Sequence, residues 1–188
     1  MNNIKPQLVV LFVDLQEGIV EASRTQSSLD VRSGVKALAK ITHALGLPHF
    51  ASIVPMGPES VPPLLAEIAH ELPLIKPHLR KTFSAMTDDA LTGFLAETGA
   101  RRVAIAGVLT EVAVLRTALD ARRLGFEVEL IIDACAGMST RTEQAALAQV
   151  SGAGGIVTSV ASFASALCPD LSSPAGSSVL AALRGLLH

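Results

Sequence analysis

Six apolar runs, each separated from the next by a stretch with helical spacing, constrain the fold of this chain most. The first, LVVLFV at residues 8–13, is continuously apolar and rich in β-forming residues. A run of that kind suits a strand covered by helices on both faces. FASIV at 50–54, VAIA at 103–106, VELII at 128–132 and GIVT at 155–158 repeat the pattern, and LPLI at 72–75 is the weakest of the set.

Between the runs, apolar residues recur every three or four positions. Val31, Val35, Leu38, Ile41 and Leu45 predict a helix over 31–45, capped by Asp30 and stopped by Gly46. Residues 61–72 predict a helix with Pro62 and Pro63 in its first turn, where proline is tolerated. Residues 88–98 follow Thr87 as a cap, carry Asp88 and Asp89 where the helix dipole favours them, and stop at Gly99. Residues 111–124 give the longest clean helix, ending at Gly125, and Thr140 with Glu143 reads as a capping box before 141–150. This βα rhythm predicts a three-layer α/β/α domain around an open, mostly parallel six-stranded sheet. A closed eight-stranded barrel typically takes about 250 residues, more than the 188 here.

The organisation reads as one domain over residues 1–170, then a C-terminal linker and short helix over 171–188. SSPAGSS at 172–178 predicts a flexible link and VLAALRGLL at 179–187 an apolar helix. That helix either closes its own domain or packs on a partner subunit.

Composition narrows the function classes. Apolar residues make up 49% of the chain, which excludes general disorder, and aromatics only 3%, with no Trp or Tyr. With a net charge of -2 and no basic block, the chain is not expected to bind nucleic acid. No apolar stretch approaches the roughly 20 residues that span a bilayer, and MNNIKPQLVVLFVDLQ lacks a signal-peptide cleavage pattern, so no membrane association and a cytoplasmic location are expected. Cys135 and Cys168 make neither a disulfide framework nor a C-x-x-C pair and read as free thiols. The five histidines show no metal-ligand spacing, and no metal or cofactor is expected.

In an open parallel sheet, chemistry collects beyond the carboxyl ends of the strands. Asp14, Lys81, the turn from Gly107 to Ala113, and Asp133 fall there. Asp14 reads equally as a general acid or base and as a cap for the QEG turn. Lys81, with His78 and Arg80 in KPHLRKTF, reads as an anion receptor or as solvated surface. GVLT at 107–110 opens a helix whose first amides suit an anion or a developing oxyanion, but it is not a dinucleotide fingerprint. Asp133 is better explained as a cap. Ser84, in FSAM, has no local activator and no G-x-S-x-G elbow around it.

DLQEG at 14–18, RKTFSA around Lys81, the segment VAIAGVLTEVAVLRTALDARRLGFEVELIIDACAG at 103–137 and SGAGGIVTSVASF at 151–163 come in the order seen in isochorismatase-like hydrolases, the cysteine hydrolase superfamily. The chain resembles that family over roughly residues 8–170. The resemblance implies a six-stranded parallel sheet, a homo-oligomer, and an Asp, Lys, Cys triad. It carries Asp14 and Lys81 over to the first two places and puts Ala113 where the nucleophilic cysteine belongs, because G-V-x-T-x-x-C falls on GVLTEVA. It also implies a cis peptide at Val108–Leu109, a pocket lined by Gln16, and substrate contacts from Leu109, Thr110 and Val112, with amides of residues 111–113 facing negative charge. IVPMGPESVPPLL at 53–65 lacks the Asp/His metal cluster of nicotinamidases, which points to the metal-free subgroup.

Three functions remain open from sequence. The first is non-covalent hydrolysis of a small anionic molecule with Asp14 as acid or base. The second is a catalytically inactive relative that binds a small molecule or serves as an oligomeric scaffold. The third is a hydrolase whose nucleophile is displaced to Cys135.

Overall fold

A computed structural model describes residues 7–187. Its centre is a six-stranded sheet of β1 (Leu8–Val13), β2 (His49–Ile53), β3 (His78–Leu79), β4 (Arg102–Val108), β5 (Glu127–Ala136) and β6 (Ile156–Thr158), in the order β3-β2-β1-β4-β5-β6. Every pairing is parallel. All six residues of β1 are buried, and their alternation splits the core in two. Leu8, Val10 and Phe12 join the cluster under one helical layer, and Val9, Leu11 and Val13 the cluster under the other. This is the three-layer α/β/α architecture that continuous apolar strands predict.

The first layer holds α2 (Ser28–Ala44), α3 (Ala66–Glu71), α7 (Val160–Leu167) and α8 (Pro174–Arg184), and the second α4 (Asp89–Thr98), α5 (Leu115–Arg123) and α6 (Thr140–Gly152). A single turn of helix, α1 (Ile19–Ala22), follows β1. Gly34 lets α2 lie directly on β5, since a Cβ there would sit 2.0 Å from the Asp133 carbonyl oxygen.

Several boundaries differ from expectation, each for a local reason. α2 begins at Ser28 because Ser27, not Asp30, caps it, accepting from the Asp30 amide. Asp88 takes the cap of α4 that Thr87 was expected to supply. Residues 61–65 stay out of α3, so Pro62 and Pro63 sit in the segment leading to the helix rather than in its first turn. LPLI at 72–75 forms a turn, and the edge strand is His78–Leu79. β5 runs on to Ala136 through a register shift against β4, so Asp133 lies inside an irregular strand rather than beyond its end. Ser139 caps α6, which leaves Glu143 free to bond elsewhere. The expected flexible link at 172–178 is mostly the first turns of α8, with Ser173 as cap and Pro174 at the first helical position. α8 packs on α2, burying Val179 and Ala182 in the core of its own chain. Among the described residues no helix is long and apolar enough to cross a membrane.

Candidate functional site

The strand order reverses between β1 and β4, and in such sheets a crevice opens beyond the carboxyl ends of the strands at that switch point. A cavity of about 370 Å³ lies there, near the lower end of ligand pockets, about 300–1,000 Å³. Asp14 comes to it from the end of β1, and Val54 and Pro55 from the end of β2. Arg80, Lys81, Thr82 and Phe83 follow β3, Val108 ends β4, Leu109, Val112 and Ala113 follow it, and Ile19 comes from α1. Apart from the charged groups and Thr82 the wall is apolar.

The pairing at the base of the cavity is not the one sequence suggested. Asp14 faces Arg80, not Lys81. The Arg80 guanidinium donates to both carboxylate oxygens, one through Nη1 and the other through Nη2 at 2.7 Å. The remaining donors are also engaged: Nε to the Thr82 carbonyl at 2.7 Å, Nη1 to Ser52 Oγ at 2.9 Å and Nη2 to the Phe83 carbonyl at 3.2 Å. A guanidinium offers five N–H groups, so Arg80 has none left for a ligand. Burial pushes the Asp14 carboxyl above the usual carboxylate range, and the hydrogen bonds and charge of Arg80 oppose that rise. Asp14 sits in the left-handed region, φ 55°, where a short polar side chain is better tolerated than most. Lys81 is exposed at the cavity edge and makes no ion pair with Asp14.

Sequence reasoning placed Arg80 in a possible anion-receiving cluster and missed it as the partner of Asp14, although a signal was present. It follows β3 directly, as Asp14 follows β1, and an arginine fork satisfies a buried carboxylate that a lysine would meet as a point charge.

After β4 the chain crosses a cis Val108–Leu109 peptide into a wide turn over Thr110–Val114 that leads into α5. Ala113 is buried and lines the cavity. The turn is tied to the start of α6. Thr110 Oγ1 donates to Glu143 at 2.8 Å. The Glu111 carboxylate accepts from the Met138 amide at 2.9 Å, the Ser139 amide at 3.4 Å and Thr142 Oγ1 at 2.6 Å. Burial alone would raise the Glu111 pKa, but these hydrogen bonds outweigh it and hold the carboxyl below its ordinary range.

The whole β1-to-α7 stretch has counterparts among known proteins. Residues 8–162 match the Isochorismatase domain. The chain belongs to the isochorismatase domain family. It is similar to the probable hydrolase YcaC of Escherichia coli, 29% identical over 153 residues that cover 80% of this chain and 72% of YcaC. It is also similar to isochorismatase domain-containing protein 1 of Danio rerio, 31% identical over 93% of this chain but spanning only 60% of that protein's length. Among solved structures, YcaC from Pseudomonas aeruginosa, with hexane-2,5-diol and covalent acrylamide, superposes with a TM-score of 0.86 at 26% identity, covering 97% of this chain and 93% of that one.

Within this isochorismatase domain the other expected site residues separate into two groups. Leu109 and Val112 line the cavity, but the Val112 amide donates to the Leu109 carbonyl at 3.0 Å and so is not free for an oxyanion. Thr110 is buried and committed to Glu143. Gln16 is fully buried away from the cavity wall. Its side chain donates to the Val54 and Pro62 carbonyls at 3.0 and 2.7 Å and accepts from the Val54 amide at 2.8 Å. Asp133 accepts from the Val160 amide at 2.8 Å at the start of α7, whose cap is Ser159, and burial raises its pKa. Cys135 belongs to the packed core between β4, β5 and the second helical layer, not to the cavity wall, and burial pushes its thiol up to about 12. A thiol so held is a poor nucleophile. Among the described residues no cluster of three or more His, Cys, Asp or Glu could hold a metal ion.

Proposed function

We propose that this chain is a small-molecule-binding member of the isochorismatase domain family that does not carry out covalent hydrolysis at the family's usual position. One observation supports the reading most. Asp14 is clamped through both oxygens by an arginine whose N–H donors are all engaged, beside a cavity wall that includes Ala113, the position the resemblance gives to the nucleophile. Arg80 has no N–H left to give, its charge opposes proton uptake by Asp14, and a methyl group cannot attack a carbonyl. A cavity lies beside the pair, as a binding role requires. Self-assembly is part of this reading, because the crystal structure of E. coli YcaC, 26% identical with a TM-score of 0.84, describes an octameric hydrolase of unknown specificity.

A second reading has its own support. Burial raises the Asp14 carboxyl, and a carboxylic acid kept protonated could deliver a proton in a non-covalent hydrolysis of a small anionic molecule. One experiment separates the two. The wild type and Asp14→Asn are assayed side by side on amides, esters and a vinyl ether, with ligand binding followed by thermal shift. Binding without product formation supports the first reading. Turnover by the wild type that Asp14→Asn abolishes overturns it in favour of the second.

A further inference from the structure

The cavity carries one uncompensated charge. Three charged side chains line it, and two of them, Asp14 and Arg80, cancel each other with every donor and both acceptor oxygens engaged. The third is Lys81, exposed at the edge and without an ion pair among the described residues. Thr82 adds little donor capacity, since its hydroxyl donates to the Ser84 carbonyl at 2.9 Å. The other lining side chains are hydrocarbon. The arrangement is therefore amphipathic, with an apolar interior over a neutralised ion pair and a single cation at the mouth.

We propose that the cavity takes a small monoanion with an apolar body, its charge paired with Lys81 and its body against Ile19, Val54, Val108, Leu109 and Val112. This rests on the reading of the cavity as a binding site. A cationic ligand would meet Lys81 with no free carboxylate to offset it. A neutral one would leave the ammonium to water and gain only from burial. A dianion would bring a second charge that a single ammonium does not balance, next to an apolar wall that charged groups avoid.

The strength of the charge preference follows from the exposure of Lys81. Ion pairs open to solvent are weak and screened by salt, so the preference over a neutral isostere is about fivefold at low salt. The test titrates hexanoate, hexanamide, hexylamine and hexyl phosphate into the full chain and into the variants Lys81→Gln and Lys81→Glu, while ammonia release from hexanamide is followed separately. Hexanoate is expected to bind about fivefold tighter than hexanamide, with the ratio falling to about one in Lys81→Gln and hexylamine overtaking hexanoate in Lys81→Glu. The proposal is overturned if hexanoate binds no tighter than hexanamide, if the preference survives in Lys81→Gln, if hexyl phosphate binds tightest, or if none of the four binds. Ammonia release would instead overturn the non-hydrolytic reading, whatever the charge preference.

Discussion

Arg80 and Asp14 form a two-pronged ion pair across the end of β1, with 1% and 7% of their side chains exposed. Removing one partner strands the other's charge away from water, which typically costs about 3–5 kcal/mol. Arg80→Leu is expected to lose stability on that order in urea unfolding. The sign of the pH effect follows from Asp14. Its carboxyl is already raised by burial and loses its counter-ion in the variant. A raised carboxyl favours the folded state when protonated, and that advantage disappears as pH climbs through its folded value. The deficit should therefore be smaller in mild acid than at neutrality. A deficit that grows on acidification would contradict this account.

Glu111 predicts the opposite pH dependence. Its carboxyl is held below the ordinary range, so the stability it contributes is present above that range and lost as pH falls through the folded value. Because it accepts from two amides just ahead of α6 and from a hydroxyl in its first turn, Glu111→Gln should cost about 1 kcal/mol at neutral pH. The gap between wild type and variant should close on acidification, read from paired denaturation curves.

Gly34→Ala tests the close approach of α2 to β5. The new methyl would stand 2.0 Å from a backbone oxygen in a strand that cannot easily move. A cost of about 3 kcal/mol, at the upper end of ordinary overpacking, is expected. Gly93→Ala, in open space on α4, is the control and should be neutral or mildly stabilising.

Ala113→Cys places a thiol at the cavity wall. The guanidinium of Arg80 makes Asp14, the one lining carboxylate, a weak base for that thiol, so slow alkylation by iodoacetamide and no amide hydrolysis are expected. Adding Arg80→Lys replaces the fork by a point charge and releases a carboxylate oxygen. The double variant should alkylate about tenfold faster, one pKa unit of thiolate. Equal rates by intact mass, with both variants unfolding cooperatively, would show that Arg80 does not control this site.

Much of the fold was legible because it depends on pattern. The run at 8–13 matches β1 residue for residue, and its unbroken apolarity announced a sheet covered on both faces. Asp14 and the turn holding Leu109, Val112 and Ala113 were legible for a similar reason, since they follow directly on strand ends. The partner of Asp14 was not. Arg80 and Lys81 are neighbours of like charge, and only the direction in which β3 hands over the chain puts one inside and the other outside. The main-chain partners of Gln16 were not legible for a related reason. A buried amide can face a ligand or a neighbouring backbone, and nothing in the local sequence distinguishes the two.

That same Gln16 separates two tasks usually mixed in a surface loop. Its three hydrogen bonds go to main-chain groups of Val54 and Pro62, and these are indifferent to which side chains the intervening segment carries. The span from Met56 to Ser60 can therefore be rewritten at its side chains while its two ends stay pinned. In this architecture the grip on the loop's backbone and the side chains the loop carries are independently adjustable, and a library over those positions would vary this stretch of surface without loosening its frame.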